Sequence, residues 1–477
     1  MTTTLYRRSA LKFIGAASTL GVFAACSSPT STPPTAAPTA AAPPKPTAAT
    51  APPAAAAPTT TLAAAAAPTT AAAAGGNAAK LVHWSWLTAS DGEVWQQMID
   101  SFNTANKGSG LEIAMEVVPD DQYGTKILST AATGSAPDFG WGTAGLRADW
   151  VKKGVVVPMD DVMKQVGLDL ADFNDLPLQR AKYGGKLAMI PMDIMCLQVL
   201  LNVDHAEAAG PDPGTPPEDG DTLLTWADKL TQRAGDTVTR SGWLMTGAGV
   251  QPTVVWGLVA HQMGFRRASD DLKQAAVNPD AGKQAAQWVL DLFDTRKVAT
   301  RDVADRYKAF GTGDGSMFLT GPWTLNGYVQ QGLNFASFQL PKIGNDKSTY
   351  FEMGGLEMYV QKDKARLEAT AHAIKWLSDN SFLWTTKGRG GSPRKSILAR
   401  PDYKDAGHPW KVRGAFIDGL PNAVVGEVPV SAGDDFTIYT GGGFDAKTMD
   451  PVWAKQTTID QAMETLTKKW QDDLAAG

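Results

Sequence analysis

The chain has 477 residues, with 44 Lys+Arg against 49 Asp+Glu, 2 Cys and 15 Trp. That length implies two or more domains, and a 43% hydrophobic composition excludes disorder throughout. Two cysteines exclude a disulfide-dense scaffold or a Cys-rich zinc site, and a formal charge of −5 argues against nonspecific nucleic-acid binding.

The chain opens on Tyr6-Arg7-Arg8-Ser9-Ala10-Leu11-Lys12, followed by an apolar run over 13–25 and then Cys26. A charged start, a short apolar stretch and small residues before a cut describe a secretory signal. The run is shorter than the about 20 residues a membrane span needs. The paired arginines resemble a twin-arginine export signal, with Sec export as the alternative. Phe23-Ala24-Ala25-Cys26 resembles a lipobox, in which Cys26 is lipidated and becomes the mature N-terminus. Between residues 27 and 74, 46 of 48 residues are Ala, Pro, Ser or Thr. Such a segment buries too little apolar area to offset chain entropy, so 26–79 is expected to be a disordered linker. All 15 tryptophans lie beyond it, in a body that carries 40 Lys+Arg and 49 Asp+Glu.

The body begins with a strand over 80–86. Ser90-Asp91-Gly92-Glu93 fits a capping box that opens a helix with Val94, Trp95, Met98, Ile99 and Phe102 on one face. Alternation at Leu111, Ile113, Met115 and Val117 predicts a second strand, followed by a helix over 123–132 and a strand over 138–141. Strands alternating with helices indicate parallel α/β architecture. Tyr183-Gly184-Gly185-Lys186 predicts a tight hairpin turn, and the apolar stretch 187–203 runs out of it. Further strands are expected at 242–246, 316–320, 334–340 and 356–361. Further helices are expected at 222–233, 251–264, 279–297, 364–379 and 454–474.

The five histidines show no metalloprotease spacing, no serine sits in a nucleophile elbow, and no glycine-rich loop carries a phosphate-binding lysine. No cofactor or metal is expected, and Cys196 reads as a buried thiol. Carboxylate pairs suited to glycoside hydrolysis remain open, because their separation is set only in three dimensions.

The ordered features resemble the family 1 extracellular solute-binding proteins of ABC importers, a group that includes maltose-binding protein. The resemblance rests on Trp84-Ser85-Trp86 closing the first strand, Ala136-Pro137-Asp138, Pro158-Met159-Asp160, the hairpin to Pro191, Leu200-Leu201-Asn202, Thr225-Trp226, Gly321-Pro322-Trp323, Gly354-Gly355 and Pro393-Arg394-Lys395-Ser396. It implies an α/β fold of the two-lobe periplasmic-binding-protein type (type II) with hinge crossings. Lobe one is expected from 80–194 plus 359–392, and lobe two from 195–358 plus 393–477. Crossings are expected near 193–197, 355–358 and 391–394.

The resemblance further implies a monomeric receptor, anchored to the cell membrane outside the cytoplasm, that captures a sugar or oligosaccharide and delivers it to permease subunits. Alternatives are another polar solute such as a glycerophosphodiester or polyol, a sensory binding protein, or a secreted glycan hydrolase. Aromatic rings suit the C–H faces of a sugar, and Asp, Arg and backbone amides suit its hydroxyls. The candidate platforms are Trp323, Trp141, Trp84, Trp86 and Trp256. Asp193 is the candidate hydroxyl acceptor. Gly354 and Gly355 are candidates for close backbone approach. Arg394 is a candidate donor, with an inter-lobe salt bridge as its alternative.

Overall fold

Two main sheets arise from the apolar runs. The computed structural model describes residues 79–476 apart from 144–147, 272, 362 and 425–442. The leader, Cys26 and most of the linker lie outside the described residues.

In lobe one, β1 (Ala79–Ser85) pairs in parallel with both β2 (Leu111–Val117) and β3 (Phe139–Thr143). Helix α1 (Ala89–Ala105) connects the first two strands and α2 (Asp120–Thr133) leads to the third. The side chains of β1 alternate between the two faces of the sheet. Leu81 enters a core with Ile113, Trp95 and Phe102 on one face, whereas Trp84 packs with Tyr123 and Trp150 on the other. The expected capping box does not form: α1 begins two residues earlier, at Ala89, and Thr88 rather than Ser90 is its cap. Ser90 and Glu93 are instead engaged by residues 326 and 330 of the other lobe.

At the hairpin, Gly184 and Gly185 take φ of 54° and 78°. Two successive positive φ values are what the tight turn requires, and glycine adopts them without strain. The apolar run that follows is two strands. β4 (Ile190–Cys196) belongs to the sheet of lobe one and β5 (Gln198–Asn202) to that of lobe two, so the chain passes between lobes at Leu197.

Lobe two adds α3 (Gly220–Leu230), β6 (Gln232–Ala234), β7 (Thr237–Leu244), α4 (Val250–Gln262) and α5 (Pro279–Asp294). It continues with α6 (Arg306–Thr312), β8 (Gly315–Thr320), α7 (Leu325–Gln330) and β9 (Phe335–Phe338). The strand order is β9-β5-β8-β7-β6. Every residue of β8 is buried, because helices cover both faces. Met317 and Leu319 enter one core, and Phe318 enters the opposite one.

The chain returns to lobe one with β10 (Thr349–Met358), antiparallel to β3 and β4. This return precedes residue 349, upstream of the expected 355–358. Helix α8 (Lys364–Asp379) follows, and then a π-helical turn at Trp384–Gly388. The third passage lies against the first: Ile194 N–H donates to Gly391 O at 2.9 Å, and Gly391 N–H donates back to Ile194 O at 2.7 Å. Helix α9 (Trp410–Asp418) packs on β9, and β11 (Ala423–Val424) rejoins β10 in the first sheet, although 393–477 was expected in lobe two. Finally α10 (Phe444–Trp453) and α11 (Ile459–Ala476) pack into lobe two, where Arg267 and Asp445 form a buried pair at 2.9 Å. The helix expected over 454–474 begins later, at Ile459, after a segment in which Lys455 has φ of 59°, and α10 precedes it.

Candidate functional site

The C-terminal edges of the two sheets face each other, and ligands of open α/β sheets bind outside such edges. From lobe one, β1 ends at Ser85 and is followed by Trp86 and the first turn of α1. From lobe two, β8 ends at Thr320 and is followed by Gly321 and a 3-10 turn, Pro322–Thr324. The parallel neighbour of β8, β7, ends beside an open cavity of about 680 Å³ bounded in part by Thr246, Gly249, Arg301 and Arg306.

Trp323 sits at this junction, half-buried. Its ring folds back over Gly321, where any Cβ would come within 1.9 Å of it, so the glycine is a packing requirement. The indole N–H points to Tyr307 Oη at 3.4 Å. From lobe one, the Arg389 guanidinium carbon lies 5.6 Å from the ring centroid, within cation–π range. The π-helical turn that ends at Gly388 delivers Arg389 to this position. The next residue, Gly390, has φ of 54° and lies against Ile194 O, which leaves no room for a side chain.

Three carboxylates surround Arg389. Asp91 pairs with its Nε at 3.3 Å. Burial raises the Asp91 pKa, and Arg389 opposes the rise. Burial likewise pushes the Asp193 carboxyl up to about 6 against the pull of Arg389. It pushes Glu352 up to about 7, with Arg389 opposing and Asp193 adding to the rise. One guanidinium is shared among three acids, so their charge is only partly compensated. Glu352 retains some solvent exposure, whereas Asp193 has none. The floor of the cleft therefore offers hydroxyl acceptors at Glu352 and Asp91 and a donor at Arg389, and the opposite lobe offers the aromatic ring of Trp323. Among the described residues no group of three or more His, Cys, Asp or Glu is placed to hold a metal ion.

Several residues expected at the site have structural places instead. Trp141 is fully buried and meets Trp95 and Trp384 edge-on, at 4.9 and 5.1 Å between centroids, beneath the floor. Trp84 is buried on the far face of the sheet and donates to Glu116 at 2.8 Å. Trp256 is fully buried in α4 and donates to Gly282 O at 2.8 Å. Asp193 is fully buried and is not presented to a solute; its oxygens accept from Gly354 N–H and from the Trp384 indole, each at 2.8 Å. Gly354 makes room for Trp141, and Gly355 for Ile190 O and Met189, so both glycines serve packing rather than ligand approach. Arg394 binds Asp172 and Asp379, each at 2.8 Å, and secures the third passage to lobe one without bridging the lobes. Trp86 and Trp323 alone among the expected platforms keep part of the ring open; Trp86 packs edge-on against Tyr123 at 4.8 Å. Asp91, Glu352 and Arg389 were not anticipated. Arg389 carried a signal, an arginine set between Gly388 and Gly390-Gly391 at an expected crossing.

Residues 97–409 match the family described as bacterial extracellular solute-binding protein. The chain belongs to that family. Solved structures share the fold of this solute-binding protein at low identity. A cycloalternan complex of an ABC substrate-binding protein from Listeria monocytogenes is 19% identical, with a TM-score of 0.69 over 83% of this chain and 99% of that one. Maltose-bound MalE3 from T. maritima is 17% identical, with a TM-score of 0.69 over 82% and 99%. UgpB from Mycobacterium tuberculosis in complex with glycerophosphocholine is 16% identical, with a TM-score of 0.71 over 83% and 99%.

Proposed function

We propose that this solute-binding protein captures a sugar or short oligosaccharide for an ABC importer, held at the cell surface by a lipid on Cys26. The observation that carries the reading is the half-open Trp323 ring of lobe two, set across from the acidic floor of lobe one. A pyranose has one apolar C–H face to lay on the ring and a rim of hydroxyls to donate to Asp91 and Glu352. The same floor disfavours a phosphodiester, which would meet three carboxylates and one arginine. A glycerophosphodiester, the class bound by UgpB, is therefore the second reading. Closure follows if the solute touches both lobes, since it favours the closed form only through contacts made there.

A thermal-shift screen tests this, run over maltose, maltotriose, cyclic glucans, polyols and glycerophosphocholine. A saturable shift with a saccharide, and no sugar products on prolonged incubation, supports the receptor. A response to glycerophosphocholine alone overturns the sugar assignment. Release of cleaved products overturns the receptor.

A further inference from the structure

The lobes touch at the lip of the cleft through the protein's own groups. Asn326, at the start of α7 in lobe two, donates from Nδ2 to the Ser90 backbone carbonyl of lobe one at 2.7 Å. One helical turn on, Gln330 donates from Nε2 to Glu93 Oε2 at 2.9 Å. Asn326 and Gln330 are four residues apart, and Ser90 and Glu93 three apart, so each pair shares one face of its helix. The two helices therefore meet as matched polar edges. Between the two bonds sits Gly327, where a Cβ would stand 3.2 Å from Ser90 Oγ. The edges are thus close-fitting at this point, and the nearest neighbour is the rotatable end of a serine side chain. Arg389 over Trp323 is a third contact between the lobes, deeper in the cleft.

We infer that α1 and α7 form a polar latch that populates the closed form before any solute arrives, so that Asn326 and Gln330 set affinity without touching the ligand. The inference rests on the two-lobe trap described above, but not on which solute it takes. A ligand that requires the closed form loses apparent affinity in proportion to how seldom that form is populated. The latch reduces this loss equally for every solute, and so it raises affinity without altering selectivity. A solute must also wait for the lip to open, so a tighter latch slows association. Asn326 and Gln330 act on binding as positioning residues.

The geometry supplies a direct test. An ideal Cβ on residue 327 lies 3.9 Å from the Ser90 Cβ, inside the roughly 3.5–4.5 Å span of disulfides. The full-length Ser90→Cys/Gly327→Cys protein, without solute, should form this crosslink under mild oxidation, identified by peptide mapping. Adding Gln330→Ala should slow crosslinking about 2- to 10-fold, the span expected for loss of one hydrogen bond. Asn326→Ala should do the same, but Asn326 is buried and its loss can disturb folding. Gln330→Ala and Glu93→Ala act at an exposed bond and keep the test independent of that. In small-angle scattering, the Gln330→Ala protein should show a larger radius of gyration than the unaltered protein, both without solute. Thiols that stay free and reactive in a folded protein overturn the inference, as does a crosslinking rate indifferent to Gln330→Ala and Glu93→Ala. Failure of every saccharide to bind would overturn the sugar assignment and leave these results standing.

Discussion

Replacing Trp323 with alanine separates its two roles, platform and packing. The ring is half-buried against the core of lobe two, Gly321 and Arg389, and keeps part of its surface exposed. A sugar laid on the open part removes roughly 50–80 Å² of apolar surface from water, or about 1–2 kcal/mol at about 25 cal/mol per Å². Since about 1.4 kcal/mol is tenfold, Trp323→Ala should weaken saccharide binding about 10-fold. A fully buried Trp→Ala change costs about 3–5 kcal/mol; a half-buried ring should cost roughly half of that in stability. Calorimetric titration and thermal melting on the same variant measure both quantities. Trp323→Phe should recover most of the stability and part of the affinity. Unchanged affinity beside a large loss of stability would assign the ring to packing and refute the argument for a stacked sugar.

Because the folded protein raises the Glu352 and Asp193 pKa values to about 7 and about 6, it holds protons that the unfolded chain has released. These groups therefore contribute less stability as pH rises. The melting temperature of the solute-free protein should climb from pH 8 to 6.5, and should do so less in Glu352→Gln. Below about 6.5 the trend reverses for His83 and His261, which burial holds at about 3 and about 4: the unfolded chain takes up protons there that the folded state refuses. Arg394→Ala removes the cation that Asp172 and Asp379 share, while Ser396 still donates to Asp172 and Lys375 still pairs with Asp379; it should cost about 1.5–3 kcal/mol in denaturant unfolding, and a loss of affinity with stability intact would move Arg394 into the site. Cys26→Ala should release the protein from washed membranes, and full retention would contradict a lipid anchor.

Periodicity along the chain was enough to specify most elements, because alternation and helical spacing are local properties. The strands at 79–85, 111–117 and 315–320, the helix at 364–379 and the turn at Gly184-Gly185 were all legible this way. The order of short motifs was enough to specify the family. What the sequence could not determine was which polar and aromatic groups face the cleft. Trp141 and Trp323 look alike as residues that follow or end a strand. Only the third dimension puts Trp141 beneath the floor among Trp95 and Trp384 and leaves Trp323 open at the edge. Asp193 was legible as an acid near a crossing, but its oxygens are taken by Gly354 and Trp384, groups 161 and 191 residues away. Asp91, Glu352 and Arg389 meet from three distant stretches of chain, and no spacing rule links them. The capping motif at Ser90 and Glu93 failed because the helix starts at Ala89, which places Ser90 inside its first turn, and the Glu93 carboxylate accepts from Gln330 of the opposite lobe.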